Sequence, residues 1–280
     1  MPKLIIEAGR TSKHYWKDLW RYRELFYFLA WRDLLVRYRQ TAIGLTWAVL
    51  RPLLTMLVLT VIFGHVAHLT LPGVPQPILV LAGMLPWQFF SNSLADSSNS
   101  LVANANLISK IYFPRLLVPA SSVVVSLVDF LISFVILIYL LLWYQFPLTW
   151  HFLALPPLVL LAFLASLGPS LLITALNVRY RDFRYIIPFV VQFGLYVSPV
   201  GFSSSRITQE LVSHGLSEQW RLLYSLNPIV GVIDGFRWAI CGHEPFYWPG
   251  FMVSLAVIGL MLAFGLRYFR RTERAFADII

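Results

Sequence analysis

The sequence predicts an all-α integral membrane protein: six transmembrane helices, an N-terminal amphipathic interface helix, and short re-entrant outer helices between spans five and six. Three observations predict it. The 280 residues are 58% hydrophobic and only 12% charged, with a mean hydropathy of +0.70, whereas soluble globular domains carry about 25% charged residues. Apolar stretches able to match a hydrocarbon core about 30 Å thick recur along the chain. The basic residues alternate with those stretches: 18 Lys and Arg fall in the segments assigned to one side and 3 in those assigned to the other, Arg51 set apart. That alternation is the pattern that sets orientation, and it predicts both termini in the cytoplasm. It also spreads the net charge of +9 over membrane flanks, so no nucleic-acid-binding patch is expected.

Residues 1–42 form the predicted cytoplasmic interface unit. They hold nine Lys/Arg and four acids without the short apolar core of a cleavable signal. Within them, 14–39 carries a helical stripe of Trp16, Trp20, Tyr27, Trp31 and Tyr38 opposite Lys17, Asp18, Arg21, Arg32 and Arg39. Arg23, Leu25 and Phe28 break the pattern. A helix of this kind lies in the membrane surface.

The transmembrane unit, 43–269, contains the six spans. The first, about 43–67, includes Arg51-Pro52: either the apolar core starts at Pro52 and Arg51 snorkels to the inner interface, or Arg51 faces a wet conduit. The second, about 78–95, is interrupted by Pro86 and turns polar at Ser91-Asn92-Ser93, so it should face protein or water rather than lipid. A polar connector over 96–115 ends at Pro114-Arg115. The third span, about 116–143, carries Asp129 at its middle. Asp129 is a functional candidate, or else a carboxylate bonded to Ser126 or Ser133 or kept protonated by burial. Spans four (152–176) and five (186–202) flank the basic loop NVRYRDFRY. Residues 222–241, broken at Asn227-Pro228 and at two glycines, fit two short re-entrant helices better than a seventh crossing. The sixth span, about 251–269, leads into a basic cytoplasmic tail, 270–280.

Several chemistries lack their residues. No G-x-x-x-x-G-K-[ST] loop is present to cradle nucleotide phosphates, and no G-x-S-x-G motif. His65 and His68 have no neighbouring carboxylate or cysteine, so no metal is expected. Cys241 is the only cysteine. Asp96, Asp129 and Asp182 are single acids in three settings, and no acid–base pair is apparent. What remains is a helical bundle with a wet-looking interior, suited to a passage. Trp47, Trp87, Phe89, Phe90, Phe193 and Tyr196 either line such a path, where they would stack on sugar rings, or belong to an ordinary aromatic belt.

Six segments together resemble the membrane subunits of ABC-type polysaccharide exporters: WRD with RYRQTAIGLTWAVLRPLL, LPWQFFSNSL, SKIYFPRLLVPA, NVRYRDF, LNPIVGVIDGFR and FRRTERAFADII. They span nearly the whole chain in the expected order. The resemblance implies a homodimeric conduit in a bacterial inner membrane, carrying a lipid-linked O-antigen, capsule or teichoic acid chain. Two copies of a separate cytoplasmic ATPase, with ATP and Mg bound there, would drive it. The segment around Asn99–Tyr112 would be the coupling helix, through Ala103, Asn104, Leu107, Ile108, Lys110 and Ile111. Arg32, Arg37 and Arg39 would meet the lipid diphosphate at the inner mouth, and Asn227, Pro228, Asp234 and Arg237 would form the outer gate. Drug or lipid export by the same kind of subunit, a self-sufficient transporter and a membrane transferase are the rival classes.

Overall fold

The computed structural model describes residues 15–39, 45–180, 182–213, 220–242 and 245–276. Among these the chain is helical, without strands. The predicted surface helix is a pair, α1 (Tyr15–Arg21) and α2 (Arg23–Arg39), nearly continuous because Tyr22 N bonds Asp18 O and Phe26 N bonds Tyr22 O. Leu29 and Ala30 of α2 are buried, while Trp16, Trp20, Tyr27 and Trp31 stay exposed. Four of the five stripe aromatics therefore lie off the face that packs on the bundle and are free to enter a bilayer surface, while Tyr38 turns inward to Asp129.

Helix α3 (Leu45–Thr60) continues into a π-helical stretch, Val61–Val66. Pro52 lies inside α3 and not in its first turn, so the helix forgoes one backbone bond at that point. Helix α4 (Gln76–Ala103) starts with Pro77 near its N-terminus and passes straight through Pro86 and the polar run 91–100. The expected end near 95 is thus a continuation, made by local bonds together with burial against Thr174 and Asn177 of a later helix. Ser91, Ser98 and Ser100 donate to carbonyls three residues back, which satisfies the hydroxyls without breaking the helix. A break at Asn104 leads into the short α5 (Ala105–Lys110). Helices α6 (Leu117–Trp143), α7 (Leu155–Arg179, after a 3-10 turn at Trp150–Ala154) and α8 (Phe183–Val197) follow. Next come α9 (Ser204–Ser213), α10 (Trp220–Tyr224), α11 (Pro228–Cys241) and α12 (Trp248–Thr272), which ends in a 3-10 turn, Glu273–Ala275.

Among the described residues, five stretches are long and apolar enough to cross a membrane: Thr46–Val66, Gln76–Ala103, Leu117–Trp143, Trp150–Arg179 and Trp248–Ala275. Apolar α8, at 15 residues, is shorter. Helix α4 is the hub, packed against α3, α6, α7, α8 and α11. Of its apolar stretch 78% is buried, against 11% of the one holding α3, so the polar second span faces protein as expected. Its buried serines let neighbours approach and bind them: Thr174 of α7 donates to Ser97 O (2.8 Å), Asn177 to Ser98 O (2.8 Å), and Ser97 itself to Pro119 O of α6 (3.2 Å).

Helices α7 and α12 meet still more closely. A Cβ on Gly265 would stand 2.2 Å from the Gly168 carbonyl oxygen, while one on Gly259 would meet nothing within 4 Å. Gly265→Val should therefore lower the melting temperature of the detergent-solubilised protein by several degrees, as expected for overpacking of about 1–3 kcal/mol. Gly259→Val on the same helix should leave it unchanged, and equal melting of the two variants would contradict the close crossing.

Candidate functional site

A cavity of about 670 Å³ opens between α2, α3, α4, α6 and α8. Its walls mix aromatic and aliphatic groups with Gln88, Asn92, Gln192 and four charges: Arg37, Arg51, Asp96 and Asp129. Helix α2 supplies Arg37 and Tyr38, α4 supplies Asp96, and α6 supplies Asp129. Arg37 donates through one nitrogen to Asp96 Oδ2 at 2.5 Å and through the other to Asp129 Oδ2. Tyr38 donates its hydroxyl to Asp129 Oδ1, and Ser126 donates to Asp96 at 3.3 Å. Burial by itself would lower the Arg37 pKa, but the two carboxylates outweigh it and raise it. Burial, and then the bond to Asp129, hold the Tyr38 phenol protonated. Asp129 is thus bonded neither to the Ser126 nor to the Ser133 hydroxyl. Ser133 donates to the Asp129 backbone carbonyl, and the carboxylate serves α2.

Trp47, Trp87 and Phe89 reach the cavity wall. Trp47 is half-exposed; Phe89 is buried, edge-on to Phe130 at 5.8 Å. Trp87 is wedged against α8, where a Cβ on Gly194 would lie 2.4 Å from the indole. Phe90 packs on Trp87 at 5.9 Å, behind the wall. Phe193 stacks with Phe189 at 4.2 Å on the outward face of α8, which also carries the exposed Tyr196.

Below the cavity, Arg32 donates to Asp33 (2.7 Å) and to Asn104 Oδ1 (2.7 Å), joining α2 to the break between α4 and α5. Arg39 has no side-chain partner among the described residues. Around α5, Ile108 is buried and Asn104 and Leu107 are half-buried, whereas Ala103, Lys110 and Ile111 are exposed. Val102 and Tyr112 extend that exposed patch. Glu273 secures its far side, accepting from Arg115 N at 2.7 Å and from the Tyr15 hydroxyl at 3.0 Å.

At the opposite end, Asn227 caps α11 by accepting from Ile229 N and also donates to Ser198 Oγ at 3.0 Å. Pro228 takes the first helical position, where no amide is needed. Asp234 accepts from Ser204 at 2.5 Å. Buried Arg237 donates to the carbonyls of Val200 (2.7 Å), Phe202 and Leu79 (3.5 Å). These bonds strap α11 to the 198–204 segment and to α4. No group of three His, Cys, Asp or Glu able to hold a metal occurs among the described residues.

Arg37→Gln would abandon two carboxylates and loosen α2. Full burial of such a pair would set the loss at about 3–5 kcal/mol, but these side chains are 22–36% exposed, so about 1–3 kcal/mol is expected. Thermal melting should fall accordingly, with faster amide exchange over residues 23–39. Exchange there that matches the wild type would refute the clamp.

Residues 24–241 match the model of the ABC-2 type transporter family. The chain is 29% identical over 267 residues to the O-antigen export system permease protein RfbA of Myxococcus xanthus, covering 94% of this chain and 98% of that one. It is 27% identical over 252 residues to the O-antigen export system permease protein RfbA of Klebsiella pneumoniae (89% and 92%). Against the polysialic acid transport protein KpsM of Escherichia coli the identity is 26% over 257 residues (87% and 92%). With a clamped polar cavity among membrane-length helices and a family match running through most of the sequence, this chain belongs to the ABC-2 type transporters.

Proposed function

We propose that the chain is the transmembrane permease subunit of an ATP-driven exporter that moves a lipid-linked polysaccharide across a bacterial inner membrane, O-antigen foremost, with capsule or teichoic acid as the near alternatives. The near end-to-end likeness to two kinds of glycan permease carries this reading. In it, two copies form the conduit, both termini are cytoplasmic, and two copies of a cytoplasmic ATPase bind beneath, holding ATP and Mg. The exposed patch of Val102, Ala103, Lys110, Ile111 and Tyr112 beside α5 supports docking there, because apolar side chains clustered at a polar surface favour a protein partner. Buried Ile108 is the anchor that makes α5 move with the hub, not slide over it.

Nucleotide-driven closure of the ATPase would push α5. The push passes along α4 to the cavity and, through Arg32–Asn104 and Arg37–Asp96, to α2, which acts as the inner gate. The α11 strap acts as the outer gate. Weak stacking on the half-exposed Trp47, with the amides of Gln88, Asn92 and Gln192 around it, lets a long glycan be held and still slide.

Cells lacking the chain should accumulate glycan on the cytoplasmic side and lose it from the surface. The purified chain should recover an ATPase, and Ile111→Asp should cut that recovery at least tenfold with the melting temperature unchanged. A normal cell surface in the deletion strain would overturn the reading.

A further inference from the structure

Arg51 differs from every other charge at the cavity. Arg37 engages both wall carboxylates, Tyr38 adds a second bond to Asp129, and Ser126 adds one to Asp96. The Arg51 guanidinium has no hydrogen-bond or ion-pair partner among the described residues. Yet it lies five residues into the apolar stretch Thr46–Val66, about 7 Å from its start at 1.5 Å per residue. An arginine without a partner, set in an apolar stretch and lining a polar cavity, is a candidate site for an anion.

Its surroundings define the anion. Trp47 and Thr55, one turn before and one turn after it, share its helix face, and all three line the cavity. Gln88, Asn92 and Gln192 supply amides from the facing walls. A planar guanidinium fork suits the paired oxygens of a phosphate, and an indole with nearby amides suits a sugar ring beside it. Arg32 and Arg37 are already bonded within the chain, and Arg39 does not line the cavity.

We propose that Arg51 is the cavity's receptor for a phosphate group of the ligand, with Trp47 packing against the adjoining sugar. The sugar side of this assignment rests on the glycan reading above. The phosphate has two possible sources, the diphosphate that joins a glycan to its lipid carrier and the headgroup of an ordinary anionic phospholipid. The test uses the full-length chain in phosphatidylcholine nanodiscs, with a fluorescent farnesyl-diphosphate-linked N-acetylglucosamine as probe and phosphatidylglycerol as competitor. Wild type should bind the probe. Arg51→Gln should weaken binding at least tenfold, Arg51→Lys should restore part of it, and Arg271→Gln, on the exposed end of α12 away from the cavity, should stay within twofold. Arg51-dependent binding that phosphatidylglycerol cannot displace identifies the carrier diphosphate; equal displacement identifies the phospholipid headgroup, and both uphold the receptor. Gel filtration and circular dichroism confirm that each variant is folded. Probe binding by Arg51→Gln equal to wild type, or none by wild type, overturns the assignment. So does a loss of binding that comes with loss of self-association, since Arg51 would then pair with a second copy. Failure of the glycan reading is separable: the deletion strain would keep its surface glycan while Arg51-dependent probe binding in nanodiscs persisted.

Discussion

The grip of Arg37 on two aspartates from two different helices is the constraint on which the site depends. One cation satisfies carboxylates on α4 and α6, and its own helix, α2, otherwise turns aromatic, aliphatic and charged side chains outward. Apolar contact holds α2 through buried Leu29 and Ala30, with Leu25 and Phe26 packed beside them. The ion cluster fixes its angle and so closes one side of the cavity. An ion pair of this kind is worth less to stability than to geometry, because the desolvation of three charges offsets much of their attraction.

The hub helix makes a single lever of these parts. Serines on α4 replace bulky side chains where α6 and α7 cross, and their hydroxyls and carbonyls are bonded across those crossings. The helix runs unbroken from the segment strapped by Arg237 to the break at Asn104. Both polar ties to α2 join at its far half, at Asp96 and Asn104. In the proposed cycle, a displacement at α5 would reach the cavity and α2 through these bonds.

Much of this fold was legible in the sequence, and each success has a physical cause. Spans announce themselves because a bilayer demands about 20 apolar residues, and α6, whose ends lie at Leu117 and Trp143, follows that demand closely. The break at Asn227-Pro228 was equally readable, because a cap and an N1 proline are local chemistry, whereas the breaks expected at Gly231 and Gly235 do not occur: α11 runs through both, packed there against Ser254 and Leu158. The continuation of α4 past 95 was not, since serines favour a break unless a neighbour buries them, and that neighbour is α7, nearly 80 residues on. Asp129 could be flagged as an intramembrane acid, yet its partner Arg37 is 92 residues away and carried no local sign of pairing. Arg32 and Arg37, which the resemblance assigned to a lipid diphosphate, carried no sign of their bonds to Asn104, Asp96 and Asp129 for the same reason. Aromatic residues were the least legible: α8 presents Phe193 outward and wedges its Gly194 against Trp87, and no periodicity distinguishes a wall from a belt.

The central claim is that the clamped cavity is the path along which the glycan moves. Photo-crosslinking during active export tests it most directly, with a benzophenone amino acid at Gln192 or Trp47 in the cavity and at Leu153 or Val135 on outward surfaces. The account predicts glycan adducts at the two cavity positions, dependent on ATP, and none at the outward pair. Adducts confined to the outward pair, or absent from the cavity while glycan still reaches the cell surface, would contradict it.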